Sequence, residues 1–222
     1  MRTERPAILL YFVACILAVL ATVIGSDVLL TFTKPIVIPA ILFYFLSVKK
    51  AKFNIWYGVF LLLTFIGDTI ILLELDDEMM YILVPYILSY LILLRFIIAD
   101  VGKLRFSRTG LAVGIFVFGL ILGAAFTLIG FFDAHHKTLE VPVVVYGFIL
   151  ALQAGLSAYH IHGSNSNMSF YMAMTALFNC VSDIFYVIFM LIAPTPEFLP
   201  IDIALQLFSY YFVIKYFIYR KK

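Results

Sequence analysis

Eight apolar runs divide the chain: Ala7–Ile24, Lys34–Val48, Phe53–Leu73, Met79–Ile98, Leu111–Phe131, Val141–Ala158, Met168–Ile192 and Phe198–Tyr219. A helix needs about 20 mostly apolar residues to cross a bilayer, at a rise of about 1.5 Å each. The second run is short unless it borrows the preceding "VLLTFT" (Val28–Thr33). Charges fall in short clusters between the runs, as expected of an all-α, polytopic membrane bundle of eight helices forming one domain over residues 1–222. Only 13% of the 222 residues are charged and 64% are hydrophobic, whereas a water-soluble domain carries about 25% charge. The first run, preceded by Arg2 and Arg5, has the outline of a secretory leader. It reads better as a retained span, because the charge pattern then closes.

Lys and Arg stay on the cytoplasmic side of membrane proteins. Arg2, Arg5, Lys49, Lys50, Lys52, Lys103, Arg105, Arg108, Arg220, Lys221 and Lys222 flank the two ends or the even-numbered connections. Asp27, Glu74, Asp76, Asp77, Asp133, Glu197 and Asp202 gather at the odd-numbered ones, with Lys34 and Lys137 as the exceptions. Both termini are therefore expected in the cytoplasm, and the protein in the plasma (inner) membrane if its source is bacterial. A net charge of +2 provides no basic face for nucleic acid. Cys15 and Cys180 lie inside apolar runs, with neither the spacing of a disulfide framework nor that of a zinc site.

The chain also resembles itself. "SYLILLR" (Ser89–Arg95) in the fourth run parallels "SYYFVIK" (Ser209–Lys215) in the eighth, and "IGDTI" in the third parallels "VSDIF" in the seventh. "KPIVIP" and "VPVVVY" open the second and sixth. These matches suggest a 4+4 repeat with halves 1–105 and 106–222, related by an axis along the membrane normal. Asp68 and Asp183 would then sit at equivalent depths on equivalent helices.

An aspartate at the centre of a membrane helix costs about 2.5–3.5 kcal/mol on insertion scales, so it normally faces the bundle interior or water. Thr175, Asn179 and Asp183 recur at steps of four, with Tyr186 three later, making one polar stripe. Thr64 lies one turn before Asp68. Tyr86 and Tyr90, Gln206 and Tyr210, and Tyr146, Gln153 and Ser157 each share a helix face; such groups commonly serve as polar glue between helices. Lys34, beside Pro35, suits a first helical turn. It lies near the depth of both acids, where it could hold one ionised or simply snorkel. Arg95 and Lys215 read as snorkelling side chains. His160 and His162 in "YHIHGSNSN" read as a polar loop and a weak metal site. "GLAVG" (Gly110–Gly114) and "GLILG" (Gly119–Gly123) are small-xxx-small signals for close helix packing.

Phosphate loops, the nucleophile elbow and the zinc-protease helix are absent. "FIGDT" lacks the Gly-x-Gly-Asp element of intramembrane aspartyl proteases, since Phe65 stands where the first glycine belongs. Taken together, Lys34-Pro35, Gly67-Asp68, Tyr146 and Ser182-Asp183, each pair or residue on its own span, resemble the lysoplasmalogenase-like (YhhN) family over nearly the whole chain. The resemblance implies eight membrane helices and cleavage of the vinyl-ether bond of lysoplasmalogens, releasing a fatty aldehyde and glycerophospho-ethanolamine or -choline. It implicates Lys34, Asp68, Tyr146, Ser182 and Asp183. The chain departs from the family pattern at Val84, Tyr90 and Leu93, where a glycine, a histidine and a tyrosine are expected, and at Lys215, where a glutamine is expected.

Two acids suit that chemistry. A vinyl ether hydrolyses when an acid protonates its β-carbon, giving an oxocarbenium that water attacks. One acid must hold its proton near neutral pH while the other stays ionised, a division that unlike environments can enforce. Asp68 and Asp183 are the expected catalytic pair, with Asp183 the better donor if Lys34 pairs with Asp68. Lys34, Tyr146, Ser182, Asn179, Tyr90 and Tyr210 are the expected substrate-binding residues. No metal or cofactor is called for, the implied partner is a membrane lipid such as a lysophospholipid, and the oligomeric state is left open. A proton-coupled carrier of lipids or small molecules, or a non-catalytic lipid-binding relative, would use the same intramembrane acids.

Overall fold

The computed structural model describes residues 4–48, 54–73, 78–132, 136–164, 166–193 and 195–220. Among them, Arg2, Lys49, Lys50, Lys52, Glu74, Asp76, Asp77, Asp133, Lys221 and Lys222 of the charge pattern are not included. The described residues form eight long helices and no strand: α1 (Glu4–Val23), α2 (Asp27–Val48), α3 (Ile55–Ile71), α4 (Glu78–Val101), α5 (Arg108–Ile129), α6 (Glu140–Ser164), α7 (Asn167–Val187) and α8 (Phe198–Tyr219). Seven are long and apolar enough to cross a membrane, and α3, with 17 residues, is a shorter apolar helix. The end of the bundle that gathers the α1–α2, α3–α4, α5–α6 and α7–α8 connections is called the upper end here.

Local chemistry sets several boundaries. Gly25, at φ +66°, closes α1. Ser26 N–H bonds back to Ala21 carbonyl at 2.8 Å and Gly25 N–H to Thr22 carbonyl at 3.3 Å, the paired bonds of a left-handed C-terminal cap. Asn54 caps α3 and Ser107 caps α5 through side-chain oxygens, while Ser166 and Ser169 form a reciprocal capping box on α7.

Three expectations need correction. Helix α2 begins at Asp27, so Lys34 lies two turns inside it and Pro35 and Pro39 are interior. The "VLLTFT" segment is helical, and Thr31 and Thr33 return their hydroxyls to the carbonyls of Asp27 and Leu29, keeping both polar groups satisfied within the helix. His160 is not in a loop: α6 continues to Ser164 and His160 is buried. Of the two glycine pairs on α5, only Gly110 and Gly114 pack closely. A Cβ on Gly114 would lie 2.9 Å from Gly155 carbonyl oxygen, whereas Gly119 and Gly123 have nothing within 4 Å.

The polarity of the packing is inverted relative to a soluble protein. Large apolar side chains such as Leu9, Ile16, Phe32, Phe43, Ile115 and Phe116 point outward, while Lys34, Thr64, Asp68, Gln153, Thr175 and Asp202 are buried. The main core joins α1, α2, α3, α4 and α8 around Tyr57, Phe96 and Phe217; Tyr57 stacks on Phe217 at 4.1 Å between centroids. Helix α5 lies at the edge, with only 6% of its span buried.

Candidate functional site

The buried polar groups of the upper half assemble around three carboxylates. Asp68, near the end of α3, is 3% exposed. Its Oδ1 lies 3.5 Å from Lys34 Nζ and accepts the Tyr86 hydroxyl at 2.9 Å, and its Oδ2 accepts the Tyr210 hydroxyl at 2.8 Å. The preceding Gly67 makes this possible, since a Cβ there would lie 3.0 Å from the Tyr86 ring. Gln206 Nε2 donates to Tyr86 Oη at 2.9 Å, leaving Gln206 Oε1 without a partner among the described residues.

Asp183, on α7, is held differently. Its Oδ2 accepts Tyr146 at 2.7 Å and Tyr90 at 3.3 Å, and among the described residues no cation lies within salt-bridge distance of it. Each aspartate therefore receives two phenol hydroxyls, but only Asp68 receives an ammonium. The hydroxyls cross between the sequence halves: Tyr210 of the second binds Asp68 of the first, and Tyr90 of the first binds Asp183 of the second.

The third carboxylate, Asp202, was read from the sequence as an acid flanking a connection. It is 6% exposed, on α8. Ser182 donates its hydroxyl to Asp202 Oδ1 at 2.5 Å, so this expected substrate-binding hydroxyl is engaged by a neighbouring helix. Asp202 lies within electrostatic range of Lys34, Asp68 and Asp183. A signal for it existed in the sequence: Asp202, Gln206 and Tyr210 recur at steps of four, the spacing of one helix face.

Three cavities run in series past these groups. The first, about 260 Å³, lies between α2, α7 and α8, against Asp27, Thr31, Lys34, Tyr186, Met190 and Asp202. The second, about 40 Å³, is walled by Ile82, Tyr86, Tyr146, Asp183, Asp202 and Gln206. The third, about 40 Å³, lies between α5, α6 and α7, against Ala124, Ala125, Gly147, Cys180, Asp183 and Ile184. Asp202 belongs to the walls of the first and second, and Asp183 to those of the second and third. A smaller void of about 10 Å³ touches Thr175, Asn179, Tyr90, Tyr210 and Asp183, so the polar stripe of α7 does face inward. Asp68 itself is covered by Lys34, Tyr86 and Tyr210 and reaches these spaces through them.

The polar groups at the other end of the bundle are separate. Asp100 receives Arg220 Nε at 2.7 Å and the Tyr216 hydroxyl, tying the end of α4 to that of α8. Lys215, expected to snorkel, donates to Tyr44 at 2.6 Å and lies over the Tyr44 and Tyr211 rings. Among the described residues no group of three or more His, Cys, Asp or Glu side chains is arranged to hold a metal ion.

Fold and site together define a helical membrane protein whose interior carries a lysine, three carboxylates and a ring of tyrosines beside a chain of cavities. Residues 29–220 match the model of the YhhN family, and the chain belongs to that family. No curated protein and no solved structure matches it.

Proposed function

We propose that the chain is a membrane-embedded hydrolase of the lysoplasmalogenase type, crossing the membrane eight times with both termini in the cytoplasm. One observation carries this reading: two aspartates with matching tyrosine ligands stand in unlike electrostatic surroundings. Asp68 is ion-paired with Lys34 at 3.5 Å. Asp183 lies on a cavity wall with hydroxyl partners alone. Asp183 is the proton donor in this scheme, and Asp68, with Asp202, provides the negative field that steadies a developing cation.

The reaction consumes one water. The Asp183 carboxylic acid gives its proton to the β-carbon of the vinyl ether, and the π electrons form the new C–H bond. The adjacent carbon becomes an oxocarbenium. Water adds to that carbon and returns a proton to the Asp183 carboxylate. The hemiacetal then breaks its C–O bond to the glycerol as its hydroxyl proton passes to the departing glyceryl oxygen, giving the fatty aldehyde and the glycerophospho-alcohol. Tyr146 and Tyr90 orient the Asp183 carboxyl. Tyr90 occupies the place where the family pattern has a histidine, so a phenol stands where an imidazole would. Gln206 lines the second cavity and its Oε1 has no hydrogen-bond partner among the described residues, so it is the acceptor assigned to the water in this scheme. The crossed bonds of Tyr90 and Tyr210 support the 4+4 repeat, since exchanging the halves exchanges these two tyrosines along with the two aspartates, although Tyr86 and Tyr146 come from non-equivalent helices.

The test is aldehyde release from lysoplasmalogen by the purified protein in lipid, with Asp183→Asn expected to abolish it. No aldehyde from any lysoplasmalogen removes the hydrolase reading, and full activity in Asp183→Asn removes the assigned donor. A proton-coupled carrier is favoured by a different observation. Pro35, which follows the first-cavity residue Lys34, and Pro39 lie inside α2 and cannot donate backbone hydrogen bonds, and α7 runs into a π turn at Ile188–Ile192 whose Phe189 and Met190 line the first cavity. Such irregularities mark substrate sites in transporters. That reading predicts pH-driven uptake into proteoliposomes with no product chemistry.

A further inference from the structure

We propose that the seam between α5 and α7 receives the hydrocarbon tail of a single-chain amphiphile whose polar end lies in the first cavity. The inference deepens the hydrolase reading and rests on it for placing the reactive bond near Asp183 and Asp202. The three cavities change character along their length. The first offers Lys34, Asp27, Thr31 and Asp202, groups for a phosphate and an ammonium. The third offers apolar atoms, with Asp183 only at the wall it shares with the second. A molecule polar at one end and apolar at the other fits the series in one direction, with the carboxylates beside its junction.

The sequence opens the third cavity by placing small residues on all three of its walls: Ala124 and Ala125 on α5, Gly147 on α6 and Cys180 on α7. Helix α5 is fixed to α6, where Gly114 and Gly155 are in backbone contact and a Cβ on Gly147 would lie 2.8 Å from Ala125 Cβ. Its remaining surface faces outward, with 6% of its span buried. The cavity itself takes only a few methylenes, and the rest of a tail would continue between α5 and α7 into the bilayer. The competing groove is larger, about 300 Å³ between α1 and α8 against Phe12, Cys15, Ile16, Leu207 and Phe208. It shares no wall residue with the three cavities and has no carboxylate.

The test is photolabelling with an ester-linked lysophosphatidylcholine that carries a diazirine within the first few methylenes of its tail, next to the glycerol, in proteoliposomes, with the sites mapped by mass spectrometry. Label is expected on the α5 peptide around Ala124 to Leu128 and the α7 peptide around Cys180 to Ile184, competed by unlabelled lysophosphatidylcholine. Ala124→Phe should cut it about tenfold, the equivalent of denying the site about two methylenes. Ala204→Phe, which fills the other groove, should leave it unchanged. Label confined to Phe12, Ile16 and Phe208, or uncompeted label scattered over the outer faces, overturns the inference. The wild type alone decides between the two grooves, so the test survives a folding defect in Ala124→Phe. The probe has no vinyl ether, so label at the seam without aldehyde release leaves this inference standing and removes the hydrolase. Aldehyde release with label only in the α1–α8 groove does the reverse.

Discussion

Replacing Lys34 by methionine keeps most of the side chain's volume and removes its charge. The Lys34 and Asp68 side chains are 2% and 5% exposed and 3.5 Å apart. At that distance, with an effective dielectric of about 20, the attraction is about 5 kcal/mol. Part of this offsets the cost of burying the charges, so the informative quantity is the cost of stranding one partner, about 3–5 kcal/mol. The Tyr86 and Tyr210 hydroxyls remain on the carboxylate but carry no charge, which places Lys34→Met within that range. Asp68→Asn in the same chain removes the stranded charge, and the double variant should recover about 2 kcal/mol or more of the loss. Lys103 is the internal control. It also lies 3.5 Å from a carboxylate, that of Asp100, but its side chain is 66% exposed, so Lys103→Met should cost less than about 1 kcal/mol. Reversible unfolding of the wild type and the three variants in mixed micelles reads all these values. Equal losses for Lys34→Met and Lys103→Met, or no recovery in the double variant, would refute the argument that burial makes the Lys34 pair different.

Tyr146→Phe removes the 2.7 Å donor to Asp183 and Tyr90→Phe the 3.3 Å one. The first should slow aldehyde release about tenfold or more and the second by less, a ranking that kcat measurements check. Gly155→Ala places a Cβ 2.8 Å from Gly114 carbonyl oxygen and should destabilise the bundle by about 1–3 kcal/mol. Gly119→Ala meets nothing within 4 Å and should be neutral or stabilising by up to about 1 kcal/mol; paired thermal melts distinguish the two. Ser182→Ala removes the hydroxyl donated to Asp202. It should lower stability by about 1–2 kcal/mol and reduce turnover with little change in KM, whereas a direct substrate contact would raise KM.

The pattern of apolar runs made the all-helical bundle legible because a membrane helix must satisfy its backbone internally and present apolar side chains to lipid. Both constraints act on each segment separately, so each leaves a local trace. The polar stripe of α7 was readable for the same reason, since Thr175, Asn179 and Asp183 follow one helix's period. The glycine pairs of α5 mark the limit of such reading. Gly110 and Gly114 meet α6 while Gly119 and Gly123 meet nothing, although their spacing is identical.

From its sequence alone the protein is a helical membrane bundle with an acid inside each of two apolar runs, because charge in an apolar run carries a cost wherever the run ends up. Only the tertiary structure decided which groups share that cost. It paired Lys34 with Asp68 and not Asp183, drew Asp202 inward to Ser182, and gave each catalytic candidate its own two tyrosines. The physical reason is that helix period fixes the face a residue occupies, whereas helix packing fixes what that face meets.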